Sequence, residues 1–148
     1  MFNRNIFIYI LIYVCLTGCD NNLLDSNVCE NYNIDMSAPS LNLDVNGYYH
    51  FNFQNQTESN MEYTVLETNT GSMENIQSVM FISNKEIFMG NQWINLVNES
   101  SYTDGHGIAK SVLGIWPDFI GDTIKVYSGY TDNCDLHYVD SLNVIVNY

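Results

Sequence analysis

Past a polar stretch that ends near Pro39, apolar and polar residues alternate along the chain with a period of two. Leu41, Leu43 and Val45 alternate with polar neighbours, Asn46-Gly47 follows, and Tyr49, Phe51 and Phe53 alternate with His50, Asn52 and Gln54. Successive side chains of a strand point to opposite faces, and Asn-Gly between two such runs is a strong hairpin signal, so this segment is predicted to be a β-hairpin. Asn55 to Asn60 is a polar loop, and Met61, Tyr63 and Val65 resume the alternation before a turn over 68–72. Met73 to Met80 fits two periods. Ile76, Val79 and Met80 make a helical face, whereas Ser78, Met80 and Ile82 fit a strand. Further strand-like runs cover 79–83, 86–89, 93–97, 107–113, 122–127 and 141–146. About eight or nine short strands, with turn residues every 8 to 12 positions, predict an all-β domain built as a β-sandwich.

The opening of the chain follows a different pattern. Arg4 precedes an uncharged run of eleven residues from Ile6 to Leu16, well short of the roughly 20 needed to span a hydrocarbon core, so the run is predicted to be a removable signal. It closes on Leu16-Thr17-Gly18-Cys19, which resembles the lipobox of bacterial lipoproteins: a branched apolar residue, two small ones, then cysteine. The resemblance implies cleavage before Cys19 and a diacylglycerol on its thiol, usually with an N-acyl chain. The expected organisation is a signal over 1–18, a lipidated polar tether over 19–39 and one domain over 40–148. Two or three acyl chains, at about 0.8 kcal/mol per buried methylene, would anchor the protein almost irreversibly. The expected location is the bacterial cell envelope, at the outer membrane or cell surface. Asp20 resembles the inner-membrane retention signal of enteric sorting, which leaves the inner membrane open.

Composition narrows the class. With 46% hydrophobic, 14% charged and 14% aromatic residues, the chain has the apolar side chains needed to offset ordering entropy, which excludes a disordered tail, a coiled coil and a collagen-like fibre. Its formal charge is −13, and Arg4 leaves with the signal. A field of that sign repels phosphate backbones and anionic headgroups, so no nucleic-acid partner is expected and the membrane link must be covalent.

Four cysteines carry a second inference. Cys15 is discarded with the signal and Cys19 takes lipid, which leaves Cys29 and Cys134. Outside the cytoplasm two remaining cysteines in one small domain are expected to pair as a disulfide; two free thiols or two metal ligands are the alternatives.

The last third carries a family resemblance. Tyr102-Thr103-Asp104-Gly105-His106-Gly107-Ile108-Ala109 is followed by Gly121-Asp122-Thr123-Ile124-Lys125-Val126-Tyr127, and then by Asp140-Ser141-Leu142-Asn143-Val144-Ile145-Val146. This order resembles the C-terminal half of bacterial immunoglobulin-like domains of the invasin/intimin type, and implies an immunoglobulin-like sandwich in which Asp104, Gly105, Gly107 and Asp122 are turn residues. An aspartate side chain can cap a tight turn, Gly107 can take positive φ, and Ala109 lets the strand start close to the facing sheet.

No catalytic signature is present: no G-x-S-x-G, H-E-x-x-H, S-x-x-K or phosphate loop. No catalytic residue, cofactor or metal is therefore assigned. His50, His106 and His137 are expected at the surface, with a zinc site from His106, His137 and an aspartate as the alternative. Asp118, Asp122, Asp132, Asp135 and Asp140 are a candidate calcium cluster, against the simpler reading of solvated turn aspartates. Trp93, Trp116 and the eleven tyrosines are either sandwich core or an aromatic binding face. Trp116-Pro117 stands out, as a plug under its loop or an exposed anchor for a partner. The expected function is a non-catalytic binding or adhesion module that contacts a protein or glycan. The alternative is an accessory or exclusion lipoprotein that docks on an envelope protein of a secretion, conjugation or phage system.

Overall fold

The computed structural model describes residues 33–53, 60–71, 78–131 and 136–148. Eleven strands lie within them: β1 (Asp35–Ser37), β2 (Asn42–Leu43), β3 (Tyr48–Asn52), β4 (Glu62–Asn69), β5 (Ser78–Ser83), β6 (Glu86–Met89), β7 (Gln92–Asn95), β8 (Ser100–Tyr102), β9 (Ile108–Ile115), β10 (Thr123–Thr131) and β11 (Leu136–Asn147). One sheet has the order β1-β4-β9, a second β2-β3-β11-β10-β5-β8, and β6-β7 form a separate ribbon. Met36, Leu66, Leu113 and Ile115 from the first sheet join Phe51, Phe81, Val126, Val144 and Val146 from the second in one buried cluster. The protein is an all-β sandwich.

Alternation explains most of this core. On β10, Ile124 and Val126 are buried, and on β11 Leu142, Val144 and Val146, each at a period of two, with Lys125, Asn143 and Ile145 between them on the outer face. β3 runs parallel to β11, pairing Tyr48 with Asn143 and Asn52 with Asn147, while the β2–β3 and β10–β11 pairs are antiparallel.

β4 corrects the expected register. Tyr63 is 63% exposed and Val65 40%, and the buried face is Thr64, Leu66 and Thr68. Residues directly opposite in an antiparallel pair share a face, and the partner strand decides which face is inner. Thr64, Leu66 and Thr68 oppose Leu113, Ser111 and Ala109, whereas Val65 opposes Val112 and Glu67 opposes Lys110. Turning Tyr63 and Val65 inward would carry Glu67 and Lys110 into the core. They instead pair outside, Nζ to Oε1 at 2.7 Å, which holds the Lys110 ammonium pKa above its ordinary value.

Three further differences are local. The strand runs on through Thr68 to Asn69, where a turn was expected. The 41–53 segment does form the expected hairpin, but Val45 sits in its turn at 101% exposure and Leu43 is 58% exposed. Regular structure also begins inside the segment expected to be tether: β1 pairs Asp35 with Asn69 and Ser37 with Glu67, and Ile34, Met36 and Ala38 are buried. Pro39 does not prevent this, because it follows the strand, in the turn closed by the Leu41 N–H donating to Ala38 O.

The connections sort between two ends of the sandwich. The described chain starts at Asn33 beside the end where β4 stops, β9 starts and β10 turns toward β11. At the opposite end are the β9–β10 connection, with its 3₁₀ helix Pro117–Phe119, and the root of the β6–β7 ribbon. Asn84 N–H donates to Lys125 O there, at 2.9 Å.

Candidate functional site

The β6–β7 ribbon is the feature that folding alone leaves unfinished. Gly90 and Asn91 form its turn with φ of 55° and 71°, the positive pair that a two-residue hairpin turn requires. Phe88 directly opposes Trp93 and Ile87 opposes Ile94. The Phe88 and Trp93 rings are 5.3 Å apart at 56°. Ile87 packs against the core, but Trp93 is 68% exposed and Phe88 57%, with Met89 and Ile94 exposed beside them.

A cleft of about 500 Å³ adjoins the ribbon, lined by Trp93, Ile94, Val97 and Glu99 among others. Its floor is held by a polar knot. Asn95 Oδ1 accepts from Ser83 N–H at 3.1 Å, from Ser83 Oγ at 3.0 Å and from Val97 N–H at 3.3 Å. Val97 bridges to Leu113 on the first sheet. At the root, Lys85 Nζ meets Asp122 Oδ2 at 2.7 Å and lies 5.8 Å from the centre of the Phe119 ring. The ribbon is thus tied to both sheets at its base and free at its tip.

The sequence predicted strands over 86–89 and 93–97 but not the exposure of Phe88, Met89 and Ile94. The signal was present: Ile87-Phe88-Met89 and Trp93-Ile94 are apolar at consecutive positions. Both faces of such a ribbon are apolar, and only one can meet the core.

The turn residues occupy defined places. Asp104 Oδ1 accepts the N–H groups of His106 at 2.8 Å and Ile108 at 3.1 Å, Gly107 takes φ of 77°, and Ala109 is fully buried. Gly105 lies in the exposed bend between them. The β2–β3 turn repeats this arrangement. Asp44 Oδ1 accepts from Asn46 N–H at 2.8 Å and Tyr48 N–H at 2.9 Å, and Gly47 has φ of 83°. The donated N–H groups, chiefly those of His106 and of Tyr48, hold both carboxyls below their ordinary pKa.

Trp116 is half-buried against the core cluster, the place of a plug, and its Nε1 is buried without a hydrogen-bond partner. The strongly exposed tryptophan is Trp93.

No protein-family model and no curated protein matches this chain. Its chemistry rests on its own residues.

His50 Nε2 lies 3.2 Å from Asp44 Oδ2, and its Nδ1 lies 3.2 Å from Asn147 Nδ2. The ring is oriented as in a charge relay, but its other nitrogen meets an amide and not a hydroxyl or thiol. The aspartates considered for calcium are separated: Asp122 pairs with Lys85 at the ribbon root, while Asp140 binds Met36 N–H at 2.8 Å and Ser141 N–H at 2.7 Å. Asp118 is exposed on the 3₁₀ helix. Among the described residues no three His, Cys, Asp or Glu side chains gather as a metal site. Among them, too, no helix is long and apolar enough to cross a membrane. Cys19, Cys29, Cys134, Asp132 and Asp135 lie outside the described residues.

Proposed function

We propose that the protein is a non-catalytic binding module of a bacterial envelope, anchored by acyl chains on Cys19 and acting by surface contact. The observation that carries this reading is Leu16-Thr17-Gly18-Cys19 at the close of an uncharged eleven-residue run. The exposed aromatic ribbon gives such a module something to bind with. The fold reading extends to an immunoglobulin-like sandwich of the invasin/intimin type. It is supported by the parallel pairing of β3 with the last strand, β11, and by the Asp104 to Ala109 turn. A Cys29–Cys134 disulfide belongs to the same reading. What supports it is that Cys29 precedes the described chain by four residues and Cys134 falls between the paired Thr131 and Leu136.

Metabolic labelling with palmitate tests the anchor. The chain is expected to incorporate label and fractionate with membranes, and the Cys19→Ala variant to lose both. A chain that takes no label, or a variant whose fractionation is unchanged, overturns the proposal. Mass spectrometry with and without reductant reports the disulfide.

A further inference from the structure

We propose that the β6–β7 ribbon and its adjoining cleft dock a basic segment of a partner protein, one that sets a Lys or Arg beside an apolar side chain. This rests on the reading of the protein as a binding module and names the chemistry of what it binds.

Three observations converge. Phe88 and Trp93 form an exposed aromatic pair on the outer face of a ribbon that belongs to neither sheet, and Met89 and Ile94 are exposed on its other face; Phe, Met and Trp are residues that anchor protein interfaces. The cleft beside them is lined by Trp93, Ile94 and Val97 together with Glu99, an exposed acidic residue. An aliphatic stem with a cationic head fits that combination, the stem packing on the walls and the charge meeting ring and carboxylate. Glu86, two positions before Phe88, adds a second carboxylate to the same ribbon face.

Charge decides the occupant. The chain carries −13 overall, and its three lysines are engaged: Lys85 with Asp122, Lys110 with Glu67, and Lys125 over the Tyr127 ring at 4.9 Å. Among the described residues no lysine pairs with Glu86 or Glu99, so a basic partner complements them. A second copy would bring like charge against like. A bilayer is disfavoured because the ribbon is rooted at the end of the sandwich opposite Asn33, where the anchored segment enters.

Fluorescence anisotropy of a labelled peptide of alternating Leu and Arg, titrated with the full-length chain in zwitterionic nanodiscs made with brominated lipid, tests the proposal. The expected result is saturable binding that weakens at least about tenfold in Trp93→Ala and in Glu99→Lys, the loss expected for an interface anchor. Thermal unfolding of Trp93→Ala should be unchanged, because that side chain is exposed. Equal affinity for a Leu-Glu peptide, or undiminished affinity in both variants, overturns the proposal. So does quenching of Trp93 emission by the brominated lipid, which would make the occupant a membrane, or self-association abolished by Trp93→Ala, which would make it a second copy. The peptide assay runs with or without acylation, so its failure is distinguishable from failure of the anchor at Cys19.

Discussion

One aspartate oxygen organises each of two turns. Asp44 and Asp104 each accept two backbone N–H groups, and these bonds favour the charged carboxylate, so both folded-state pKa values fall below the ordinary 3.8. A group whose folded pKa is depressed contributes stability that is fully present above its unfolded value and is lost as pH falls through the folded one. Thermal unfolding followed by circular dichroism should therefore show a loss of stability that sets in as pH falls below about 4 and continues as it falls further. A double Asp44→Ala, Asp104→Ala variant should start with a lower Tm at neutral pH and lose less on acidification. An equally steep acid loss would assign the dependence to other carboxylates. Glycines offer a second test at this scale. A Cβ on Gly129, at the β10 bulge, would run into the backbone carbonyl of His137, whereas one on Gly114 would meet the flexible tip of Met61, Sδ at 2.8 Å. Gly129→Ala is expected to destabilise by roughly 1–3 kcal/mol or more, and Gly114→Ala by less, because backbone yields less readily than a thioether. Urea unfolding of both variants decides the order.

At the scale of the strand, β4 sets the sharpest test, because its inner face is carried by threonine and leucine and its outer face by tyrosine and valine. Leu66→Ala should cost about 2–5 kcal/mol in urea unfolding, as for other fully buried leucines, and Tyr63→Ala well under half of that. The reverse order would mean the strand is turned over. This strand also shows what periodicity leaves open. Alternation specifies a period and not a phase, and where β-formers occupy both faces the phase is set across the ladder, here by Lys110 opposite Glu67. The strands that were legible carry aliphatic side chains at every second position over a stretch, as at Ile124 and Val126 of β10 and Leu142, Val144 and Val146 of β11, or have a turn that specifies itself, as at Asn46-Gly47 and Asp104. β1 escaped notice because three residues are too few to show a period. Its position depends on a residue far away in the chain, Asp140, which binds Met36 N–H. Asp140→Ala leaves that N–H without its partner and should cost about 1–3 kcal/mol, with hydrogen exchange at Met36 rising more than in the β4–β9 ladder. Of the candidate site, Trp93 was singled out in the sequence but its ribbon was not, because apolar residues in a strand-like run read as core until the ribbon's position outside both sheets is known.

For the molecule as a whole, the deciding quantity is charge. Seventeen carboxylates stand against four basic residues. The Lys110–Glu67 and Lys85–Asp122 pairs each lie largely at the surface, where ion pairs contribute roughly 0–1 kcal/mol. Two such pairs are weak next to the mutual repulsion of an excess negative charge confined to one small domain, and that repulsion is lowered when the chain unfolds and expands. Salt weakens both effects, since the screening length shrinks from about 30 Å at 0.01 M to about 8 Å at 0.15 M. If repulsion dominates, Tm should rise by several degrees over that range of sodium chloride at neutral pH, and the gain should shrink toward pH 4, where carboxylates begin to protonate. A Tm that falls with salt would show that the lysine pairs outweigh the field. The same screening acts with opposite sign on a basic partner at the β6–β7 ribbon, whose affinity should drop over the salt range that stabilises the fold. The two responses, read in one titration series, separate the charge that strains the domain from the charge that serves its contacts.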